Sequence, residues 1–147
     1  MFTIEKAKRQ KTCRSCYKPI VNKELHMTTG PGGDSICMHC LKDFERIIIN
    51  DEESPRGWHF VAPIKFEKQI CSCCNEPLPI GTKALIIIYK VKLYSRRFRC
   101  FEESEKLYSR LCLTCIQNFN KQITEEEYFQ SDLKRLNLLL MKENKIV

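Results

Sequence analysis

Four Cys-x-x-Cys pairs constrain this chain more than any other feature of its sequence. Two thiolates at this spacing project from one tight turn, and two such pairs complete a tetrahedral sulfur site, for which zinc is the usual metal. Iron fits the same geometry. Eight of the ten cysteines belong to these pairs, so the spacing predicts two four-cysteine metal sites. The pairs are Cys13/Cys16, Cys37/Cys40, Cys71/Cys74 and Cys112/Cys115.

An internal repeat indicates which pair joins which. The first and third pairs lie in CRSCYKPI and CSCCNEPL, which share Cys-x-x-Cys-x-x-Pro followed by an aliphatic residue. The second and fourth lie in ICMHCLKDF and LCLTCIQNF, which share both cysteines and a later phenylalanine. Because each half repeats this order, we expect the first pair to join the second and the third to join the fourth. The alternative is an interleaved cross-brace between the first and third pairs, which leaves the repeat unexplained.

The ions are expected to stabilise the fold. Each half contains roughly 50–60 residues, too few to bury a large apolar core. Four thiolates on zinc contribute on the order of 10 kcal/mol in comparable fingers, and a closed four-cysteine site leaves no position for a catalytic water. We therefore predict a small, metal-stabilised α+β protein with two Zn²⁺ ions per chain.

The order of knuckle, β-hairpin and helix, with the last two ligands at the helix start, resembles the treble-clef zinc finger. The resemblance covers the eight cysteines and the segments between them, and it implies two treble-clef-like modules without fixing a function. A fainter resemblance, around CRSCYKPIVNKELHM, is to poly(ADP-ribose)-polymerase-type fingers. Those fingers close with a His-x-x-Cys pair, where this chain has Cys37 and Cys40, so their recognition of DNA nicks is not carried over.

Composition and turn signals predict four segments. NDEESPRG is acidic and contains Pro and Gly, and the apolar WHFVAPIKFEKQI after it is expected to pack between the halves. TEEE predicts a capping box that begins a C-terminal helix at Thr124. The segments are 1–50, the first zinc module with a basic N-terminal arm; 51–69, the linker and packing segment; 70–123, the second zinc module with a long basic hairpin; and 124–147, the C-terminal helix. The basic arm is either a solvated lead-in or a phosphate contact.

Helices are expected to follow the second and fourth pairs, with equivalent apolar positions in the core. These positions are Leu41, Phe44 and Ile48 in the first helix, and Ile116, Phe119 and Ile123 in the second. On the C-terminal helix, one apolar face is marked by Phe129, Leu133, Leu136 and Leu140. That face either docks on the modules or contacts a partner protein or a second copy.

A long basic hairpin, KALIIIYKVKLYSRRFR, is the candidate for ligand binding. Strand alternation places Leu85, Ile87 and Tyr89 on a core face and interleaves cations with aromatic residues on the other face. Cations interleaved with aromatic rings are typical of nucleic-acid-binding surfaces, because the cations contact phosphates and the rings stack on bases. The alternative is an exposed hairpin kept soluble by its charge. The predicted nucleic-acid-binding residues are Lys90, Lys92, Tyr94, Arg96, Arg97, Phe98 and Arg99.

The remaining cysteines and the histidines do not indicate catalysis. Cys73 and Cys100 fall outside the pairs, although Cys73 could replace a neighbouring ligand. Of the three histidines, His39 could replace a cysteine ligand, and His26 and His59 belong to no recognisable catalytic group. With no Gly-rich phosphate loop and no paired catalytic carboxylates, we expect no catalytic residues and no enzyme activity.

Charge and cysteine usage lead to the functional hypothesis. The net charge of +7 favours an anionic partner. MFTIEKAKRQK does not look like a secretory signal, and no apolar run reaches bilayer length, so we expect a cytoplasmic or nuclear protein without a membrane partner. We predict a two-zinc nucleic-acid-binding protein in transcription regulation, monomeric or dimeric. The alternative is a protein–protein adaptor or inhibitor that uses the C-terminal helix. The Lys- and Ile-rich composition is typical of an AT-rich, for instance viral, genome.

Overall fold

The structure is a computed structural model of the chain. In the part of the chain that it describes, the protein is a small mixed α/β protein with two helices, two three-stranded sheets and two two-stranded sheets. The backbone is described for residues 2–29, 34–55, 57–95, 97 and 100–144, and side chains within these ranges are described except at 89–95, 100–107 and 141–144.

The first half of the chain folds as five short strands followed by a helix. The elements are β1 (Thr3–Lys6), β2 (Lys11–Thr12), β3 (Pro19–Ile20), β4 (Leu25–Thr28), β5 (Ser35–Cys37) and α1 (Met38–Asn50). β4 is the central strand of an antiparallel sheet with the order β1-β4-β5, and β2 and β3 form a separate hairpin. The first cysteine pair lies in the turn of that hairpin, and the second pair lies where β5 meets α1.

The second half repeats this plan with longer final elements. Its elements are β6 (His59–Pro63), β7 (Gln69–Ile70), β8 (Pro77–Leu78), β9 (Lys83–Ser95), β10 (Cys100–Leu111) and α2 (Leu113–Asn144). β9 is the central strand of an antiparallel sheet with the order β10-β9-β6, and β7 and β8 form the small hairpin. The third cysteine pair lies in the turn of the small hairpin, and the fourth lies where β10 meets α2.

The duplication also appears in the backbone dihedrals. Tyr17 and Asn75, 58 residues apart like Cys13 and Cys71, both lie in the left-handed region with φ values of 60° and 62°. Lys23 and Gly81, at the same spacing, have φ values of 73° and 90°. Because L residues rarely adopt this conformation, its recurrence at matched positions shows that the two hairpins turn in the same way.

Residues 59–63 lie in the second sheet, within the segment 51–69 that was predicted to be a linker and packing segment. β6 pairs with β9 from His59 opposite Ile87 to Pro63 opposite Lys83, just as β1 pairs with β4. β6 is therefore the first strand of the second half. It also packs against α1, so the segment contacts both halves. The segment boundaries themselves stay predictions.

One hydrophobic core joins the two halves. α1 packs against α2 and against β6 and β9, while α2 packs against β1 and β4. Each helix thus contacts the same two strands of the opposite half, as the helices of a two-fold symmetric dimer would. The repeat has produced one body with a shared interior, held by reciprocal helix contacts.

The predicted apolar helix positions lie in this core, with one shift. Leu41 and Phe44 are buried in α1, but Ile47 is the third fully buried residue there, and Ile48 packs at the edge of the core. A helix stripe contains both i+3 and i+4 positions, so sequence period alone does not choose between these neighbours. On α2 the predicted residues are all buried, namely Ile116, Phe119 and Ile123.

α2 is one continuous helix of 32 residues. The prediction of a helix start at Thr124 is wrong. The Thr124 hydroxyl donates to the carbonyl oxygen of Asn120 at 2.9 Å, which is the bond of a threonine inside a helix. Beyond Ile123 nearly all described side chains of α2 are exposed. No helix of the described chain combines the length and the apolar character needed to cross a bilayer.

Candidate metal centres and the outer face of the second sheet

The first cysteine pair of each half lies in a tight turn with a fixed hydrogen-bond pattern. The backbone N–H of Cys13 donates to the carbonyl oxygen of Lys18 at 3.0 Å, and that of Tyr17 donates back to Cys13 at 2.8 Å. In the second half, Cys71 donates to Glu76 and accepts from Asn75, both at 2.9 Å. Each turn therefore directs its two sulfur atoms to the same side.

The second cysteine pair of each half lies at a helix N-terminus. Cys37 is the N-cap residue of α1, and Cys40 lies in the first turn. Cys112 precedes α2, and Cys115 lies in its first turn. Unpaired backbone N–H groups and the helix dipole favour negative charge at this end of a helix. Two thiolates of each group are therefore placed where the backbone stabilises them.

The eight sulfur atoms form two groups of four, and this grouping matches the predicted pairing. Within each group all four Sγ atoms lie within 4.8 Å of one another. The Sγ atoms of Cys13 and Cys40 lie 3.8 Å apart, and those of Cys71 and Cys115 lie 3.7 Å apart. A tetrahedron with metal–sulfur bonds of about 2.3 Å has edges of about 3.8 Å, whereas a disulfide needs about 2.05 Å. The separations fit a four-coordinate metal ion.

Backbone N–H groups donate to the buried sulfur at each site. In the first, Ser15 and Cys37 donate to Cys13 Sγ at 3.4 and 3.3 Å. In the second, Cys73 and Cys112 donate to Cys71 Sγ, both at 3.4 Å. These donors stabilise the thiolate, the form that binds a metal.

The thiol pKa values in the first group diverge because the sulfur atoms share hydrogen bonds. Bonds from Cys37 and Cys40 hold the pKa of Cys13 far below its ordinary value. The contact with Cys13 raises the pKa of Cys37 to about 11, and it raises the pKa of Cys40 further. Several thiolates at this distance repel one another, and a divalent cation is the partner that allows all four to ionise.

In the second group, burial has a larger influence on the thiol pKa values than the hydrogen bonds between sulfur atoms, which dominate in the first group. Burial raises the pKa of the Cys71 thiol, but backbone N–H groups, those of Cys74 and Cys112 foremost, outweigh it and bring the pKa to about 7. Burial is also the largest cause that raises the pKa values of Cys112 and Cys115. Cys71 therefore loses its proton more readily near neutral pH than Cys112 or Cys115 does.

The first sulfur group is joined to the second half by two side-chain contacts. Ser15, between the two ligands of the first knuckle, hydrogen-bonds to Nδ1 of the buried His59 on β6 at 2.5 Å. Arg14 lies over the ring of Trp58, with its Cζ atom 4.9 Å from the ring centroid. No sequence signal indicated these contacts, because their partners are more than forty residues apart.

Two residues considered as substitute ligands lie outside the sulfur groups. Cys73 is exposed, and the second group contains Cys71 and Cys74 instead. His39 is exposed on the first turn of α1, while both cysteines beside it belong to the first group. The side chain of Cys100, the other unpaired cysteine, lies outside the described residues.

The predicted nucleic-acid-binding residues are only partly described. Lys90, Lys92 and Tyr94 are positions of β9 whose side chains lie outside the described residues. Arg97 is exposed between the two long strands. Arg96, Phe98 and Arg99 lie outside the described residues.

The two faces of the second sheet differ in burial. One face carries buried residues, which are His59, Val61, Leu85, Ile87, Ser109 and Leu111. Neighbouring positions belong to the opposite, outer face, where Phe60, Ile86 and Arg110 lie side by side across the three strands. Ile86 is buried on this face too, whereas Phe60 and Arg110 are half-buried. Ile88 and the exposed Tyr108 form the next row.

Comparison with protein-family models finds no match to this chain, and comparisons with curated proteins and with solved structures find none either.

Proposed function

We propose that this chain is a nucleic-acid-binding protein whose two four-cysteine groups hold zinc and whose ligand contacts the β9–β10 hairpin. The proposal is supported by the backbone of β9, which is one strand from Lys83 to Ser95, so that strand alternation predicts Lys90, Lys92 and Tyr94 on the outer face of the sheet. A role in transcription regulation stays a prediction.

Zinc is the metal that best fits the donor set. Four cysteine sulfurs in tetrahedral spacing satisfy zinc completely and leave no open position, as in structural sites. The order of elements around each sulfur group also supports treble-clef-like modules. Each half has a knuckle, paired strands and a helix that begins at the last two cysteines of its group. Metal analysis of the purified protein should give two zinc ions per chain, and iron or a single ion would contradict this assignment.

The outer face of the hairpin supports an anionic ligand. β9 is continuous from Lys83 to Ser95, so the alternation that buries Leu85 and Ile87 extends to the basic positions. In the strand register Lys106 lies opposite Lys90, and Glu103 lies opposite Lys92. Residues 83–99 carry six lysines and arginines and no acidic residue, a composition that favours a phosphate-bearing ligand.

Loss of binding on removal of the basic residues tests the proposal. The full chain with zinc should shift single- or double-stranded nucleic acid in a gel, and the affinity should fall steeply with salt. Removal of five cations should abolish the shift at moderate salt and lower the salt slope by about 3 to 5. The changes are Lys90→Ala, Lys92→Ala, Arg96→Ala, Arg97→Ala and Arg99→Ala.

A control variant that loses the same number of positive charges separates the effect of the hairpin site from the effect of net charge. Five exposed cations elsewhere on the surface are replaced together, and this variant should keep most of its affinity. These are Lys18→Ala, Lys42→Ala, Lys121→Ala, Lys134→Ala and Arg135→Ala. Equal loss in both variants, or no binding by the unmodified chain at low salt, would contradict the proposed function.

A protein adaptor is the second candidate, and the exposed end of α2 favours it. Leu133, Leu136 and Leu140 follow a 3-and-4 spacing on one side of the helix, and all are exposed. An apolar stripe of this kind is typical of helix–helix contacts. If the adaptor function is correct, Leu136→Asp should abolish capture of a protein partner while the chain keeps two zinc ions. Unchanged capture would contradict this candidate.

A further inference from the structure

We propose that the outer face of the second sheet is a stacking platform for single-stranded nucleic acid, formed by Phe60, Phe66 and Tyr108 and flanked by Lys65 and Arg110. This inference rests on the proposed function and names its ligand class. It places the base contacts at the root of the β9–β10 hairpin, on residues that the sequence analysis did not select.

The strand register brings the platform residues together. Phe60 on β6 lies opposite Ile86 on β9, which lies opposite Arg110 on β10. In the next row Ile88 lies opposite Tyr108, and the N–H of Ile88 donates to the carbonyl oxygen of Trp58 at 2.8 Å. The aromatic residues thus flank an aliphatic centre across three strands, a width of about 10 Å.

A shallow cavity of about 210 Å³ opens on this face. Phe60, Phe66, Ile86 and Tyr108 line it, together with the cations Lys65 and Arg110, and none of its described lining residues is acidic. The loop after β6 supplies Lys65 and Phe66, so the cavity has a wall on one side. An apolar recess whose own charged lining residues are Lys65 and Arg110 fits a flat aromatic ring attached to a phosphate, while Asp51, Glu52 and Glu53 line the adjoining cavity beyond Phe60.

The exposure of the aromatic residues indicates that the platform is available to a ligand. Phe66 is 69% exposed and Tyr108 is 48% exposed, although both rings border apolar neighbours. Exposed aromatic rings beside cations bind unpaired bases, since every base offers a stacking face and every nucleotide a phosphate. A duplex keeps its bases stacked on one another, so its bases cannot use these rings without being unpaired.

The platform is continuous with the basic part of the hairpin. By strand alternation, positions 90, 92 and 94 are expected on the face of β9 that carries Ile86 and Ile88. A single strand that passes along β9 could therefore stack bases at its root while its phosphates meet the lysines farther out. This continuity favours a nucleic-acid strand over an uncharged peptide as the ligand.

Binding of an oligothymidylate of about 12 nucleotides tests the platform. Trp58, the only tryptophan, precedes β6 beside the platform, so its fluorescence can report binding by the full chain with zinc. Phe66→Ala and Tyr108→Ala should each weaken binding about tenfold. Tyr108→Phe should retain wild-type affinity, because it keeps the ring. Tyr128→Ala removes a similarly exposed ring on α2 and should change nothing.

The outcomes separate the platform from the general function. A duplex of equal length should bind more weakly than the single strand and should be insensitive to Tyr108→Ala. If the hairpin lysine variants lose binding but Phe66→Ala and Tyr108→Ala bind normally, the platform is refuted and the proposed function stands. Equal sensitivity of duplex and single strand to the aromatic changes also refutes it. If the unmodified chain binds neither probe, both proposals fail. Capture of a protein that Tyr108→Ala releases, without any nucleic-acid binding, would assign this face to a protein partner instead.

Discussion

Cys73 and Cys74 are neighbours in the chain, yet their sulfur atoms have different surroundings. Cys74 Sγ lies 3.7 Å from Cys112 Sγ within the second group, whereas Cys73 contributes its backbone N–H to Cys71 and leaves its side chain exposed. Local spacing was enough to predict the two groups of four sulfur atoms, because a Cys-x-x-Cys turn fixes the direction of both side chains. Spacing alone did not exclude Cys73 from the second sulfur group. The choice between Cys73 and Cys74 depends on the turn that contains the left-handed Asn75.

The difference between these neighbours gives the first prediction. Cys74→Ser should lower the zinc content from two ions to one, because serine is a poor ligand for zinc and the tetrahedron loses a corner. Cys73→Ser is the matched control and should keep both ions. Inductively coupled plasma analysis of the dialysed proteins measures both. Loss of zinc from the Cys73 variant would show that the ligand set is wrong.

His59 gives a pH prediction at the same scale. Burial lowers its pKa to about 4, the nearby Asp34 raises it in part, and Arg14 lowers it. Because the folded pKa lies below the unfolded value of about 6.5, neutral His59 favours the folded state. The free energy of unfolding should therefore fall as the pH drops from about 6.5 toward 4, by up to about 3 kcal/mol.

A variant comparison isolates the contribution of His59 from any acid sensitivity of the two four-cysteine groups. His59→Gln should be less stable than the wild type near neutral pH, because Ser15 loses its partner, but its stability should fall less steeply below about pH 6.5. His39→Gln changes an exposed histidine and should follow the wild-type curve. Urea unfolding at each pH, with zinc content checked, provides the measurement. Parallel curves for His59→Gln and wild type would contradict the assignment.

At the scale of elements, the sequence predicted α1 well and α2 less well. α1 follows the second cysteine pair as predicted and ends at Asn50, where Asp51 adopts a left-handed conformation and donates its N–H to the carbonyl oxygen of Ile47. For α2, a TEEE motif suggested a start that the structure does not have, because the helix was already formed eleven residues earlier, at Leu113. A capping box depends on a non-helical residue at the cap, and the preceding turns of α2 remove that condition. The sequence analysis did not predict β6 as a strand, because β6 pairs with β9 twenty or more residues later and local sequence does not indicate that pairing.

The two ends of α2 should differ strongly in what they contribute to stability. Ile123→Ala removes a fully buried side chain from the shared core and should cost about 2–5 kcal/mol. Leu136→Ala removes an exposed side chain from the same helix and should change stability by less than about 0.5 kcal/mol at low protein concentration. Denaturant unfolding of both variants tests this. A large loss for Leu136→Ala would mean that this end of the helix is covered in solution, which concentration dependence would reveal.

At the scale of the whole molecule, the duplication has produced shared packing. The sequence repeat predicted two similar modules, and each was expected to depend on its ion. It could not predict that α1 would lie on β6 and β9 while α2 lies on β1 and β4, because nothing in a repeat specifies how its copies face each other. Met27 and Ile36 of the first sheet and Leu85 and Leu111 of the second belong to one core cluster. Each half thus has its own sulfur group, while the apolar interior belongs to both halves.

Separated halves should consequently fail to fold alone, even with zinc. A chain divided between Glu53 and Ser54 keeps Ser54, whose hydroxyl accepts from the N–H of Val61, with the second half. Residues 1–53 alone should bind zinc weakly and show no cooperative thermal transition, because their helix lacks the opposite sheet. Mixing both fragments with zinc should restore helical circular dichroism and a single transition, as reciprocal packing requires. A first fragment that melts cooperatively alone, near the full-length midpoint, would show instead that the modules are independent and the shared core contributes little.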